Sequence, residues 1–110
     1  MDNVLPLVKS ISFKTVESTG EIVCTVFIDD TNNTSKTVIL HINGIYKFRI
    51  KKDTQFCNSD NTNTVITGRI SNISFDHYCA IITLDSSTKY NGLMYDFSTN
   101  SILYVEEVTV

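Results

Sequence analysis

The sequence predicts a single all-β domain, folded as a small antiparallel β-barrel or as a compact β-sandwich with extra N-terminal hairpins. Short segments in which apolar and polar residues alternate run through most of the chain, which is typical of half-buried strands. Turn residues separate these segments, and we find no convincing helix. A length of 110 residues suits one domain around one core.

Composition and charge narrow the classes of function. Hydrophobic residues make up 42% of the chain, and the net charge at pH 7 is -3 with both signs mixed. A protein that holds DNA chiefly through its phosphates is usually basic, so the overall charge favours no nucleic-acid partner. The N-terminus lacks a basic leader, and no apolar run reaches the roughly 20 residues of a membrane helix. We therefore expect a cytoplasmic protein without a signal peptide or a membrane segment.

The N-terminal region, residues 1–35, is predicted to contain a hairpin. In EIVCTVFID, Ile22, Cys24 and Val26 fall on one face, and the preceding segment KSISFKTV alternates in the same way. Gly20 lies between the two segments and suits the turn of a hairpin.

The second region, residues 36–110, is predicted to form the barrel. Asn43-Gly44 stands between the alternating segments TVILHI and IYKFRI, and this dipeptide is a strong signal for a hairpin. The apolar face of the strand that follows is formed by Tyr46, Phe48 and Ile50. A long polar segment, DTQFCNSDNTNT, is predicted to be an exposed loop.

A β-bulge is predicted in the strand VITGRISNISF. Ile66 and Ile70 keep one phase of the alternation, whereas Ile73 and Phe75 keep the other, so one extra residue near Ser71 would bring all four onto one face. Strands that bulge in this way curl a small sheet, which favours a barrel. Further short strands follow in YCAIITLD, GLMYDF and ILYVEEVTV, and STNSI has room for only a 3₁₀ turn.

The stretch DHYC, residues 76–79, combines a carboxylate, an imidazole and a thiol. A zinc site needs three or four such ligands, so Asp76, His77 and Cys79 would require help from another element. Asp and His also tolerate the positive φ of a tight turn, and Asp76-His77 fits a two-residue hairpin turn followed by a packed Cys79. We favour the turn, and we expect neither a metal nor another cofactor.

The cysteines and histidines give little support for catalysis. Cys24, Cys57 and Cys79 are odd in number and widely spaced, which argues against a disulfide framework and indicates a reducing compartment. A Cys-His nucleophile pair would have to join His41 to a distant cysteine, and no local motif supports it. We therefore expect no enzymatic activity.

Three cations on one face of a strand form a candidate polyanion-binding site. Lys47, Arg49 and Lys51 alternate with Tyr46 and Phe48, and basic and aromatic side chains together can hold a nucleic-acid strand. The simpler interpretation, which we favour, is the solvated face of a half-buried strand, where lysine also discourages edge-to-edge pairing.

Four tyrosines form a candidate protein interface. They all lie near the C-terminal end of the chain: Tyr78, Tyr90, Tyr95 and Tyr104. Tyrosine among few charges is typical of protein interfaces. The same side chains would equally suit the core and the rim of a small barrel.

A series of elements over residues 64–108 resembles a known group of proteins. A bent strand with Gly68-x-Ile70 runs into a turn, and the later steps are Leu84-Asp85, a 3₁₀ turn at residues 98–100 and a closing strand over residues 102–105. This order is similar to that of the small SH3-like and Sm-like barrels, including those that phages and mobile elements encode. The Sm residues that bind RNA are missing, so an RNA function does not follow from the resemblance.

These observations favour a non-enzymatic protein-interaction or assembly module. It would bind another protein or a second copy of itself through an exposed sheet edge and the tyrosine-bearing C-terminal region. The resemblance implies a virion component, located within the virion, or a small host-directed inhibitor. The alternative is a nucleic-acid-binding barrel that uses Lys47, Arg49 and Lys51.

Overall fold

The computed structural model describes residues 6–51, 63–76, 78–85, 89–90, 93–94 and 96–108. These residues form an all-β protein with antiparallel sheets, as the sequence predicts. The strands are β1 (Val8–Val16), β2 (Glu21–Ile28), β3 (Ser35–Leu40), β4 (Ile45–Lys51), β5 (Asn63–Phe75), β6 (Ala80–Leu84), β7 (Lys89–Tyr90), β8 (Leu93–Met94), β9 (Asp96–Ser98) and β10 (Ile102–Glu107). A 3₁₀ turn at Thr99–Ser101 precedes β10.

Two sheets share one core. The first sheet has the strand order β1-β2-β3 and the second has the order β10-β4-β5-β6-β9, while β7 and β8 pair only with each other among the described strands. Pairing among the described strands closes neither sheet into a barrel. Buried apolar side chains from both sheets form a single cluster between them. Among the described residues, no helix has the length and apolar character to cross a membrane.

The predicted N-terminal hairpin is confirmed. β1 and β2 are antiparallel neighbours, and Gly20 takes the positive φ of 76° that closes the turn between them. The carbonyl oxygen of Val16 accepts hydrogen bonds from the backbone N–H groups of Thr19 (3.1 Å) and Gly20 (2.9 Å). The predicted apolar face of β2 is buried in the core.

The predicted β-bulge in β5 is also confirmed. Ile70 pairs with Leu84, but the next pair joins Asn72 to Thr83, so Ser71 is the extra residue. Ile70 and Ile73 are therefore both buried although they lie three positions apart. The bulge allows one long strand to keep its apolar side chains in the core on both sides of the bend.

The predicted hairpin at Asn43-Gly44 is wrong. β3 pairs with β2, whereas β4 pairs with β5 and β10, so this turn joins the two sheets. The N–H of Asn43 donates to the carbonyl oxygen of Ile70 (2.8 Å), and the N–H of Ile70 donates to that of Gly44 (3.0 Å). The backbone of the turn thus pairs with β5, which prevents β4 from folding back onto β3. β3 belongs to the first sheet, although the division predicted at residue 35 separates it from β1 and β2.

Tyr46 fixes the corner between the sheets. Its hydroxyl donates a hydrogen bond to the carbonyl oxygen of Ile39 (2.7 Å) and accepts one from the N–H of His41 (3.1 Å). The ring lies so close to Gly44 that a Cβ there would come within 2.7 Å of two ring carbons. Burial raises the pKa of Tyr46, so the hydroxyl keeps the proton that it donates.

Tyr46→Phe is expected to lower the free energy of unfolding by about 1–3 kcal/mol, because it removes the partner of two part-buried backbone groups. Chemical denaturation measures this change. Tyr78→Phe is the control, since that side chain is 91% exposed, and it should change the free energy by less than about 0.5 kcal/mol. Equal stability of Tyr46→Phe and the wild type would show that the corner does not depend on this hydroxyl.

Candidate protein interface

A cleft of about 340 Å³ opens beside β1. One wall is formed by residues of β1, namely Ile11, Ser12, Phe13 and Thr15. The opposite wall combines the connection between β5 and β6 with the 3₁₀ turn, through Asp76, Tyr78, Cys79, Thr99 and Asn100. The cleft therefore lies between an edge strand of the first sheet and two connections of the second sheet.

The cleft exposes the hydrogen-bonding edge of β1. Successive side chains of a strand point to opposite faces of its sheet, yet the consecutive residues Ile11, Ser12 and Phe13 all line the cleft. Residues from both faces of β1 therefore border the cleft, as is expected at the edge of a strand. Among the described strands β1 pairs only with β2, so a further strand can join it on this side.

Hydrogen bonds hold the opposite wall in place. The N–H of Asp76 donates to the carbonyl oxygen of Cys79 (2.8 Å), and this hydrogen bond joins the two ends of the connection between β5 and β6. The N–H of Ala80 donates to the hydroxyl of Thr99 (3.3 Å), a buried side chain that ties the 3₁₀ turn to β6. The hydroxyl of Ser98 caps the same turn by accepting a hydrogen bond from the N–H of Asn100 (3.1 Å).

The DHYC stretch is a connection between strands. Phe75 pairs with Ala80, so the connection spans residues 76–79 and is longer than the predicted two-residue turn. His77 lies outside the described residues. Within the part of the chain that the structure describes, no three His, Cys, Asp or Glu side chains are grouped closely enough to hold a metal ion.

The cysteines differ in their access to solvent. Cys24 is fully buried in the core, and burial raises the pKa of its thiol to about 12. Cys79 is half-buried and lines the cleft. Cys57 lies outside the described residues.

His41 sits at the corner between the sheets, where its ring packs edge-on against Tyr46 with 6.2 Å between the ring centres.

Native protein treated with iodoacetamide at pH 8 is expected to be alkylated at Cys79 and not at Cys24. With a pKa of about 12, roughly one Cys24 thiol in ten thousand is ionised at that pH, and the core also excludes the reagent. Mass spectrometry of the digested protein measures both sites. Unfolding in guanidinium chloride is the control and should make them equally reactive. Equal alkylation in the native state would contradict the burial of Cys24.

The structure separates the four predicted interface tyrosines. Tyr78 is 91% exposed and lines the cleft. Tyr104 is only 1% exposed, so its assignment to the interface is corrected: it is a buried residue. Tyr90 lies in β7, but its side chain falls outside the described part of the chain, as does all of Tyr95.

Tyr104 is part of the core and also links the two sheets. Its hydroxyl accepts a hydrogen bond from the Lys36 ammonium of β3 (2.6 Å) and donates one to the Glu106 carboxylate (2.9 Å). The Lys36 ammonium also lies 4.9 Å from the ring centre, and the Arg49 guanidinium lies 5.8 Å from it. Burial and the hydrogen bond to Glu106 raise the pKa of Tyr104.

The same arrangement involves one cation of the predicted polyanion-binding face, Arg49. Arg49 approaches the ring of Tyr104 and donates a hydrogen bond to the carbonyl oxygen of Pro6 (3.0 Å). Lys47 stands directly opposite Glu106 in the pairing of β4 with β10. Lys51 is exposed at the end of β4. Arg49 is thus tied to the rest of the fold, whereas Lys51 stands in solvent.

We expect the variant with Lys47→Ala, Arg49→Ala and Lys51→Ala to bind a 20-nucleotide single strand no more weakly than the wild type does. Both should bind with a Kd of about 100 µM or weaker, because the net charge of the protein is -3 and Arg49 already has partners within the fold. Fluorescence anisotropy at 50 and 200 mM salt measures this. Tighter wild-type binding that weakens with salt and is lost in the triple variant would favour the nucleic-acid function.

Sequence reasoning missed most of the cleft. The alternation of KSISFKTV predicts the strand that carries Ile11 and Phe13, but it does not show which edge of that strand stays unpaired. Thr99 and Asn100 reach the cleft through the packing of the 3₁₀ turn against β6, for which the local sequence holds no signal.

Comparison of the chain with protein-family models, curated proteins and solved structures finds no match. The geometry and chemistry of the cleft are therefore the basis on which a function is proposed.

Proposed function

We propose that this protein is a non-enzymatic interaction or assembly module that binds a polypeptide at the edge of β1 and in the adjoining cleft. The observation that carries the proposal is that the consecutive residues Ile11, Ser12 and Phe13 of this edge strand all line the cleft. A strand edge of this kind offers backbone hydrogen bonds to an extended partner, and the cleft supplies side-chain contacts that select it.

Tyr78 is the best candidate for an anchor residue. It is a large aromatic side chain that stands in solvent beside the cleft. Tyrosine contributes much of the binding energy at protein interfaces, since its ring buries apolar area while its hydroxyl finds a polar partner. The half-buried Ile11 and Phe13 add apolar surface on the opposite wall.

The chemistry of the cleft suits a polypeptide better than a nucleic acid. Hydroxyl and amide groups of Ser12, Thr15 and Asn100 can bond to backbone or side-chain groups of a partner. Among the described lining residues Asp76 is the one carboxylate and there is no cation. The cleft therefore favours a neutral or basic segment and repels phosphates.

The SH3-like interpretation is part of the same proposal. Two sheets around one core and a bulge that bends β5 support a small, strongly curved fold of that kind. The two biological settings that the resemblance implies, a virion component and a small host-directed inhibitor, both act by binding protein. Edge-strand binding would serve either setting.

A photo-crosslinker tests the proposed site. With p-benzoylphenylalanine in place of Tyr78, irradiation is expected to give a covalent adduct with a polypeptide, because this side chain would contact the bound partner. The sample is irradiated both as purified protein and in a lysate of the source cells, and mass spectrometry identifies the adduct.

The matched control carries the same crosslinker at Thr37, which is exposed on β3 at the opposite edge of the first sheet. We expect at least about fivefold less adduct from this position. A crosslinker at Thr37 would meet the partner only in random encounters, whereas one at position 78 would touch the partner for as long as it stays bound. No adduct from either sample, or equal yields from the two positions, would contradict the proposal.

A further inference from the structure

We propose that the polypeptide bound at the edge of β1 is β1 of a second copy of this chain. This inference rests on the protein-binding function proposed above and names its partner. The two β1 strands would pair antiparallel about a two-fold axis through Ser12 and would join the two three-stranded sheets into one. Such pairing is isologous, so each copy contributes the same edge.

The sequence of β1 matches itself in this register. With the axis at Ser12, Ile11 of one copy stands opposite Phe13 of the other, and Ser12 stands opposite Ser12. The apolar pairs share the face that packs toward the core, whereas Ser12 lies on the other face. Cross-strand apolar pairs of this kind stabilise an antiparallel ladder.

Neighbouring registers match less well. An axis moved by half a residue toward Ile11 would place Ile11 opposite Ser12 and Lys9 opposite Lys14, which mixes the two faces and opposes like charges. An axis at Ile11 would place Lys9 opposite Phe13. The axis at Ser12 instead places Lys14 opposite Ser10. Lysine on an edge strand ordinarily discourages pairing with another strand, but in this register the residue opposite it is an uncharged serine.

The cleft gives the added strand room on its apolar side. Ile11 and Phe13 pack at the margin of the shared core and also line the cleft. The same two side chains of the second copy would lie beside them and extend over the cleft toward Tyr78. A bulge between Val8 and Ser10 limits the regular pairing to about five residues, Ser10 to Lys14. So small an interface predicts weak association, with a Kd on the order of 100 µM.

Disulfide trapping tests the register. Ser12→Cys is made in a chain that also carries Cys57→Ser and Cys79→Ser, and Cys24 stays because it is buried. Cα atoms of directly opposed antiparallel residues lie about 4.5–5.5 Å apart, which a disulfide can span. We expect most of this variant to form a covalent dimer in a glutathione redox buffer, read on a non-reducing gel.

Two matched controls carry the cysteine elsewhere in the same background. Thr37→Cys lies in the same cross-strand row as Ser12 but on the opposite edge of the sheet. Ser10→Cys lies on β1 itself, where the proposed register separates the two equivalent Cα atoms by about 14 Å, too far for a disulfide. Each control should give at least about tenfold less dimer than Ser12→Cys.

Sedimentation of the wild type provides an independent measurement. Preferential trapping at Ser12, together with a concentration-dependent dimer, supports the inference. Equal trapping at all three positions, or a monomer up to about 1 mM, overturns it. In the latter case, an adduct between the Tyr78 crosslinker and a different protein would still support the interaction function, so the two proposals fail separately.

Discussion

The rest of the structure depends on the connection between β3 and β4, the joint between the two sheets, which the hydroxyl of Tyr46 stabilises. It bonds to the backbone on both sides of the end of β3 while its own strand already belongs to the second sheet. The pairing of Asn43 and Gly44 with Ile70 fixes the same joint from the side of β5. Since the chain passes between the sheets at this point, the joint sets how the apolar faces of β2 and β4 meet in one core.

The side chain of Tyr104 provides a second link between the two sheets and contacts charged side chains. Lys36 reaches from β3 to the hydroxyl of Tyr104, which in turn bonds to Glu106 on β10. Arg49 approaches the same ring. Arg49, which a reading of β4 alone assigns to the solvated face, thus contacts the rest of the fold.

Two edge strands of the sheets differ in length. β9 has only three residues, and short edge strands are poor templates for further pairing. β1 is nine residues long and borders a cleft whose far wall is held by hydrogen bonds. This longer edge, with Tyr78 beside it, is the one at which binding is proposed.

The sequence by itself determined the strands, their buried faces and the bulge at Ser71, because alternation and its change of phase are local properties of the chain. Only the tertiary structure decided that Asn43-Gly44 turns between sheets, since its backbone partner is the distant Ile70. Likewise, the hydroxyl of Tyr104 bonds to Lys36, which lies in the other sheet. The cleft combines β1 with turns that follow it by more than 60 residues, a contact that no local pattern encodes.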